Sequence, residues 1–209
     1  HKGILEVQIN TNGLPSKKDI LIECAKSGID RIIFSVDGFS KTTYEAIRKG
    51  GDYGQLLRNI HALLEWKKKN KAARPFVRVQ MVRAKINAHE VRDYIRYWRD
   101  LADDVRVVDI VDRGQGEALS AAEQIRTDRV RCPQPFQRLV VGRGGQVSPC
   151  CEDWFGGYIA GDANTDSLID IWNNEKMDYI RRIQNKNQQH KIKICKNCAG
   201  LKCSSWRKI

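Results

Sequence analysis

The sequence predicts an α/β fold joined to a smaller, cysteine-rich α+β part, and three observations predict it. Up to about residue 112, short apolar strands alternate with helical periodicities. The stretches between those strands are long enough to hold helical crossovers, which makes the strands parallel. Six of the seven cysteines fall at or after Cys132, where the composition changes. The 209 residues are 41% hydrophobic and 30% charged, enough to bury a core. A chain of this length holds one large domain or two smaller ones. No run approaches the ~18 apolar residues of a membrane span, and no repeat period appears. The chain opens at His1 and runs straight into a strand without a charged-then-apolar leader, so it reads as a fragment rather than a secretory precursor.

The first strand is expected over Leu5 to Ile9 and closes on Asn10-Thr11-Asn12-Gly13. A helix follows from about Ser16, its candidate N-cap, to Ser27, with Ile20, Leu21, Cys24 and Ala25 on one face and Gly28 ending it. Strand two is Arg31 to Val36, closing on Asp37-Gly38. A short helix over Thr42 to Arg48 precedes a longer one, Tyr53 to Lys69, striped by Leu56, Leu57, Ile60, Leu63 and Leu64. Strand three covers Phe76 to Val82, a helix runs from about His89 to Leu101, and strand four covers Val105 to Ile110. Asn10, Thr11, Ser35, Asp37, Gln80 and Asp112 all lie at or near the C-terminal ends of these strands. In parallel α/β architectures that edge is where ligands bind.

Residues 112 to 131 read as a linker, which places a domain boundary near residue 115 and domains at 1–115 and 116–209. Beyond it, Phe136 to Val141 and Gln146 to Ser148 flank Gly142-Arg-Gly-Gly145, a β-hairpin pattern. Cys150 and Cys151 follow the hairpin, and Asp153 to Asp162 is a glycine-rich loop. A single helix is expected from a cap at Asp166 or Ser167 through Leu168, Ile171, Trp172, Met177 and Ile180.

The net charge is +12. Ten of the Lys and Arg residues, against the single acid Asp178, lie between Lys176 and Ile209. Such a tail can be a phosphate-binding surface, a solvated helix face, or a local offset to an anionic thiolate centre. No aromatic platform or nucleic-acid motif accompanies it, so nucleic acid is not an expected partner.

An odd number of cysteines, gathered at one end, does not suit a disulfide-stapled secreted domain. Cys132 and Cys150 are separated by 17 residues that fold back as a hairpin, so both sulfurs can meet at its base. A further 44 residues lead to Cys195-Lys-Asn-Cys198, a C-x2-C turn that presents two thiolates to one site. Four thiolates suit a tetrahedral zinc or a 4Fe–4S cubane. A zinc ribbon would repeat the C-x2-C knuckle at both ends, and here one half is a hairpin instead. Cys151 points away if Cys150 points inward. Cys203 is near enough to be a spare ligand, and Cys24 is expected to be a small core residue.

Together these segments resemble the radical SAM (S-adenosylmethionine) family. Thr11-Asn-Gly13, Ser35-Val-Asp-Gly38 and Thr43-Tyr-Glu-Ala-Ile-Arg48 resemble the middle of its partial barrel. Cys132, Gly144-Gly-Gln-Val-Ser-Pro-Cys150, Gly161-Asp-Ala-Asn, Leu168-Ile-Asp-Ile-Trp172 and Cys195-x2-Cys198 resemble its SPASM or shorter twitch extension. The resemblance implies an incomplete (β/α) partial barrel, four units of six, followed by a small α+β cluster domain. It implies one auxiliary 4Fe–4S cluster on Cys132, Cys150, Cys195 and Cys198. It implies S-adenosylmethionine contacts at Thr11 and Ser35, with Gln80 and Asn87 near the cofactor or substrate, and Arg48 and Arg113 as charge partners. The family's C-x3-C-x2-C radical-cluster loop has no counterpart in these residues. The intact enzyme would hold that second 4Fe–4S cluster, cleave S-adenosylmethionine and abstract a hydrogen from a small-molecule or peptide substrate, as a dehydrogenase or maturase. It would use a low-potential electron donor in the cytoplasm, and the present chain alone is expected to be inactive. The competing expectation is a non-catalytic cysteine-rich metal module that binds peptide or nucleic acid through its basic tail.

Overall fold

The computed structural model describes residues 6–15, 19–109, 131–153, 155–196 and 198. They fall into two compact units, the first within the N-terminal half and the second spanning the cysteine-rich half. The boundary expected near residue 115, Arg113, Asp112, Cys203, Ser16 and the last part of the basic tail lie outside the described residues.

The first unit is a four-stranded parallel sheet in the order β1 (Gln8–Thr11), β2 (Arg31–Ser35), β3 (Phe76–Arg83), β4 (Asp104–Asp109). The crossovers carry α1 (Ile20–Lys26), α2 (Lys41–Ile47) with α3 (Tyr53–Lys69), and a short 3-10 turn leading into α4 (Val91–Trp98). Sequence order equals spatial order, as successive right-handed βα units produce. The first strand sits later than expected, at Gln8–Thr11. α1 begins only at Ile20, behind Asp19 in a left-handed conformation with φ 63 and no side-chain cap. Ser40 caps α2 and Asp52 caps α3, each side chain accepting a backbone N–H from the first turn.

Register divides the sheet into two unlike faces. Ile32, Phe34, Val77, Val79 and Met81 are buried with Leu21, Leu56, Ile60, Leu63, Tyr94 and Trp98 in the helix-covered core. The alternate residues form the other face: Arg31, the buried Ile33 and Ser35 on β2, Arg78 and Gln80 on β3, Asp104 and Arg106 on β4. That face carries a charge ladder in which Asp104 accepts from Arg78 at 2.6 Å and from Arg106 at 3.1 Å.

The second unit is a three-stranded antiparallel sheet, β5 (Val140–Val141), β6 (Gln146–Ser148) and β7 (Gly161–Asp162). Its helices are α5 (Gln134–Gln137), α6 (Leu168–Trp172), α7 (Glu175–Asn185) and α8 (Lys193–Lys196). Three expectations are corrected here. Phe136 is helical rather than in the hairpin, because Pro133 and Pro135 favour a first helical turn over a strand ladder. The glycine-rich loop contributes a third strand, since Gly161 pairs with Val147. The single helix is two, because the Asn174 side chain accepts the Met177 N–H at 2.9 Å and starts α7 afresh. The core is Val147, Ala160, Ile171, Met177, Ile180, Ile183 and Ile192.

A candidate cluster site and an ordered sheet edge

Four cysteines from three segments of the second unit line one pocket. Cys132 stands just ahead of α5, Cys150 two residues past β6, Cys195 in α8 and Cys198 just beyond it. Ser148 fixes the turn after β6, its hydroxyl donating to the Cys150 carbonyl at 3.3 Å and to Asp153 Oδ2 at 3.1 Å. Asp153 in turn accepts the Gly157 and Tyr158 amides. Pro135, Ile180 and Ile194 supply apolar wall. Cys151 is exposed, and its sulfur meets Gln134 Nε2 at 3.6 Å.

Burial pushes the thiols of Cys150 and Cys195 up to about 12, each also raised by the neighbouring thiols of the set. Cys132 is raised for the same leading reason. The thiols of Cys132, Cys150 and Cys195, raised by burial in an apolar wall and by their neighbours, would ionise together only around a cationic centre. Among the described residues no three His, Cys, Asp or Glu side chains gather closely enough to hold one metal ion. The four cysteines at one pocket are a donor set whose chemistry fits an iron–sulfur group.

Two glutamines escaped sequence reasoning. Gln184 is fully buried, its Oε1 accepts the Cys132 N–H at 3.2 Å, and its Nε2 meets Cys195 Sγ at 3.6 Å. Gln134 is 2% exposed and lines the same pocket. The sequence did hold a signal: Gln184 falls on the stripe of Met177, Ile180 and Ile183, where a solvated helix would place an apolar residue.

The C-terminal edge of the first unit's sheet is tightly ordered. Asp37, 4% exposed, accepts from Arg48 Nε at 2.7 Å and from the Val82 N–H at 2.8 Å. Asn87 accepts the Ala84 N–H at 2.7 Å and donates to the carbonyls of Asp37 and Val82, both at 2.9 Å. Glu90 accepts the Phe39 N–H at 2.6 Å and the Ser40 hydroxyl at 2.5 Å. These bonds clamp the loop after β2 to the loop after β3. Asn87 is fully buried and spends both N–H donors inside the fold, so it organises the edge. Ser35 and Gln80 are register partners on the charged face and half-buried. Thr11 is paired with Phe34, which puts it on the helix-covered face, and its hydroxyl accepts the Gly13 N–H at 3.0 Å. Arg48 is committed to Asp37.

A family model for the SPASM iron-sulfur cluster-binding domain matches residues 132–199, which contain all four pocket cysteines. The S-adenosyl-L-methionine-dependent 2-deoxy-scyllo-inosamine dehydrogenase of Niallia circulans is 30% identical over 93 residues, 44% of this chain and 37% of that one. The GTP 3',8-cyclase of Limosilactobacillus fermentum is 30% identical over 131 residues, 61% of this chain and 37% of that one. The chain thus spans well under half the length of these relatives. Native anSMEcpe, solved with bound AdoMet and Cp18Cys peptide, shares the fold with a TM-score of 0.60 at 13% identity, covering 93% of this chain and 65% of that one.

Proposed function

We propose, from the match of residues 132–199 to the SPASM iron-sulfur cluster-binding domain, that this chain is part of a radical SAM enzyme with one auxiliary 4Fe–4S cluster. The observation that carries the reading is the convergence of Cys132, Cys150, Cys195 and Cys198 on one pocket inside the matched stretch. When bound, the cluster supplies a one-electron relay at low potential.

The remaining chemistry is the chain's own. Cys132, Cys150, Cys195 and Cys198 would hold the cluster as thiolates, and the apolar wall of Pro135, Ile180 and Ile194 would limit water around it. On the first unit, Ser35 and Gln80 offer polar side chains on the charged sheet face, where we place contacts to S-adenosylmethionine or substrate. Asp37, Asn87 and Glu90 hold that edge in shape. Thr11 would act there only through the turn it shares with Gly13. The radical-generating cluster would require a C-x3-C-x2-C spacing, and these 209 residues contain none. We infer a small-molecule or peptide substrate and a dehydrogenase or maturase outcome, with reducing equivalents from a low-potential donor; the dehydrogenase and cyclase relatives support the small-molecule class and the peptide-bound neighbour the other. We place the enzyme in the cytoplasm, where such clusters survive; no described helix is long and apolar enough to cross a membrane.

Anaerobic reconstitution with iron and sulfide tests the reading. The chain is expected to bind ~4 iron with matching sulfide. Alanine at Cys132, Cys150, Cys195 or Cys198 should abolish most of that binding, while Cys151→Ala and Cys24→Ser should leave it intact. Zinc in place of iron and sulfide, or equal iron in Cys150→Ala and the parent, would overturn it.

A further inference from the structure

Resting on the cluster reading above, we propose that Gln184 is a positioning residue that holds two of the ligand segments together and raises the reduction potential of the cluster. Its amide is placed between the ends of the ligand set: the oxygen takes the backbone N–H of Cys132, and the nitrogen points an N–H at the sulfur of Cys195, 3.6 Å away. These contacts join residues 52 and 11 positions apart in sequence. The side chain is completely shielded from water, so neither bond has solvent as a competitor.

Burying an amide costs free energy unless both its ends are satisfied. At this position on α7 the neighbouring stripe residues Ile180 and Ile183 are apolar, so a glutamine there is costly without a partner to meet. Both of its ends meet cysteine residues of the pocket. An N–H dipole aimed at a ligating sulfur stabilises the negative charge that each added electron brings, which favours the reduced state. The oxygen, by holding the Cys132 backbone, keeps the first ligand at the pocket while the last two are supplied from α8 and the turn after it.

The same unit offers a matched control. Gln189 is 1% exposed, and neither polar atom of its side chain finds a partner among the described residues. It does not line the cysteine pocket. A buried glutamine that only fills space should behave like Gln189, whereas one that serves the cluster should not.

The test uses the 209-residue chain reconstituted anaerobically as parent, Gln184→Met, Gln184→Glu and Gln189→Met. Iron and sulfide are counted, folding is followed by circular dichroism, and the midpoint potential is read by titration monitored with electron paramagnetic resonance. Methionine keeps length and removes both hydrogen bonds. Glutamate keeps the acceptor for Cys132 and removes the amide donor. We expect both Gln184 variants to titrate at a lower potential than the parent, with Gln184→Met also losing its iron several-fold faster under a chelator. Gln189→Met should match the parent in both. A folded Gln184→Met that fails to load while Gln189→Met loads supports the positioning role. Loaded Gln184 variants with the parent's midpoint and rate of iron loss overturn the proposal. So does unfolding of both Gln184 variants, which would make the residue structural. A parent that binds no iron and sulfide rejects the cluster reading itself, and that result is separate from any difference between the variants.

Discussion

At the scale of single residues, the chain spends buried polar groups on holding loops rather than on exposure to ligand. Asn87 is the clearest case, with three hydrogen bonds to the backbone around β3 and the Asp37 loop. Replacing it by alanine strands a buried N–H and two carbonyls, and should cost about 3 kcal/mol of stability in denaturant unfolding. Asp37→Ala leaves Arg48 and the Val82 N–H without their acceptor and should cost a similar ~3 kcal/mol. Glu90 gives a pH dependence. Burial pushes its carboxyl up, but the Ser40 hydroxyl and the Phe39 and Ser40 amides outweigh it and leave the acid stronger than usual. A carboxyl depressed on folding adds stability that is present above the ordinary value of 4.5 and is lost as pH falls below it through the folded value. The parent should therefore lose stability more steeply than Glu90→Gln between about pH 5 and 3, as thermal melts across that range would show.

At the scale of elements, caps and turns decide where helices begin, and two of them set the cluster unit. Asn174 restarts the chain as α7, and α7 then points Ile180 and Gln184 toward the cysteine pocket. Removing that cap with Asn174→Ala also removes a bond from its Nδ2 to the Ala160 carbonyl. About 1 kcal/mol should be lost in a chemical melt. In the first unit the turn after β1 needs glycine twice over. Gly13 has φ +71, and a Cβ there would meet Leu56 Cδ1 at 2.3 Å. Gly13→Ala is expected to destabilise by about 2 kcal/mol or more. That turn also holds Asn59, whose side chain donates to the Gly13 carbonyl at 2.8 Å, so β1 and α3 would loosen together.

At the scale of the whole molecule, the proposed cluster is expected to couple unevenly to folding. The four pocket cysteines proposed as ligands all lie in the second unit, whose apolar core is small, while the first unit has its own larger core without any of them. Stripping the cluster should therefore expose amides across residues 131–198 to hydrogen exchange and leave those of 6–109 protected. Loading has a pH sign of its own. The thiols of Cys150 and Cys195, held near 12 by burial, enter the site protonated and must release those protons to bind iron. Raising the pH from 7 to 8.5 should therefore increase the extent of reconstitution at fixed iron, as an absorbance titration would record.

Much of this was readable along the chain. The alternation of strand and helix needs only local periodicity, which is why α3 starts and ends where its leucine stripe predicts, at Tyr53 and Lys69. Cys150 lines the pocket and Cys151 is exposed, but both lie in the bend past β6, so the turn and not strand alternation sets their directions. What spacing could not reach were choices made between distant segments. Pairing with Phe34 put Thr11 on the helix side of the sheet, away from Ser35 and Gln80, and only the register of two strands decides that. β7 exists because Val147 offers it a ladder. Gln184 meets Cys132 across 52 residues. A sequence carries its short-range signals in covalent order, so faces, caps and ligand spacing follow from it directly. Which polar group lies beside which thiol depends on how separately formed elements pack, and that is a property of the folded chain alone.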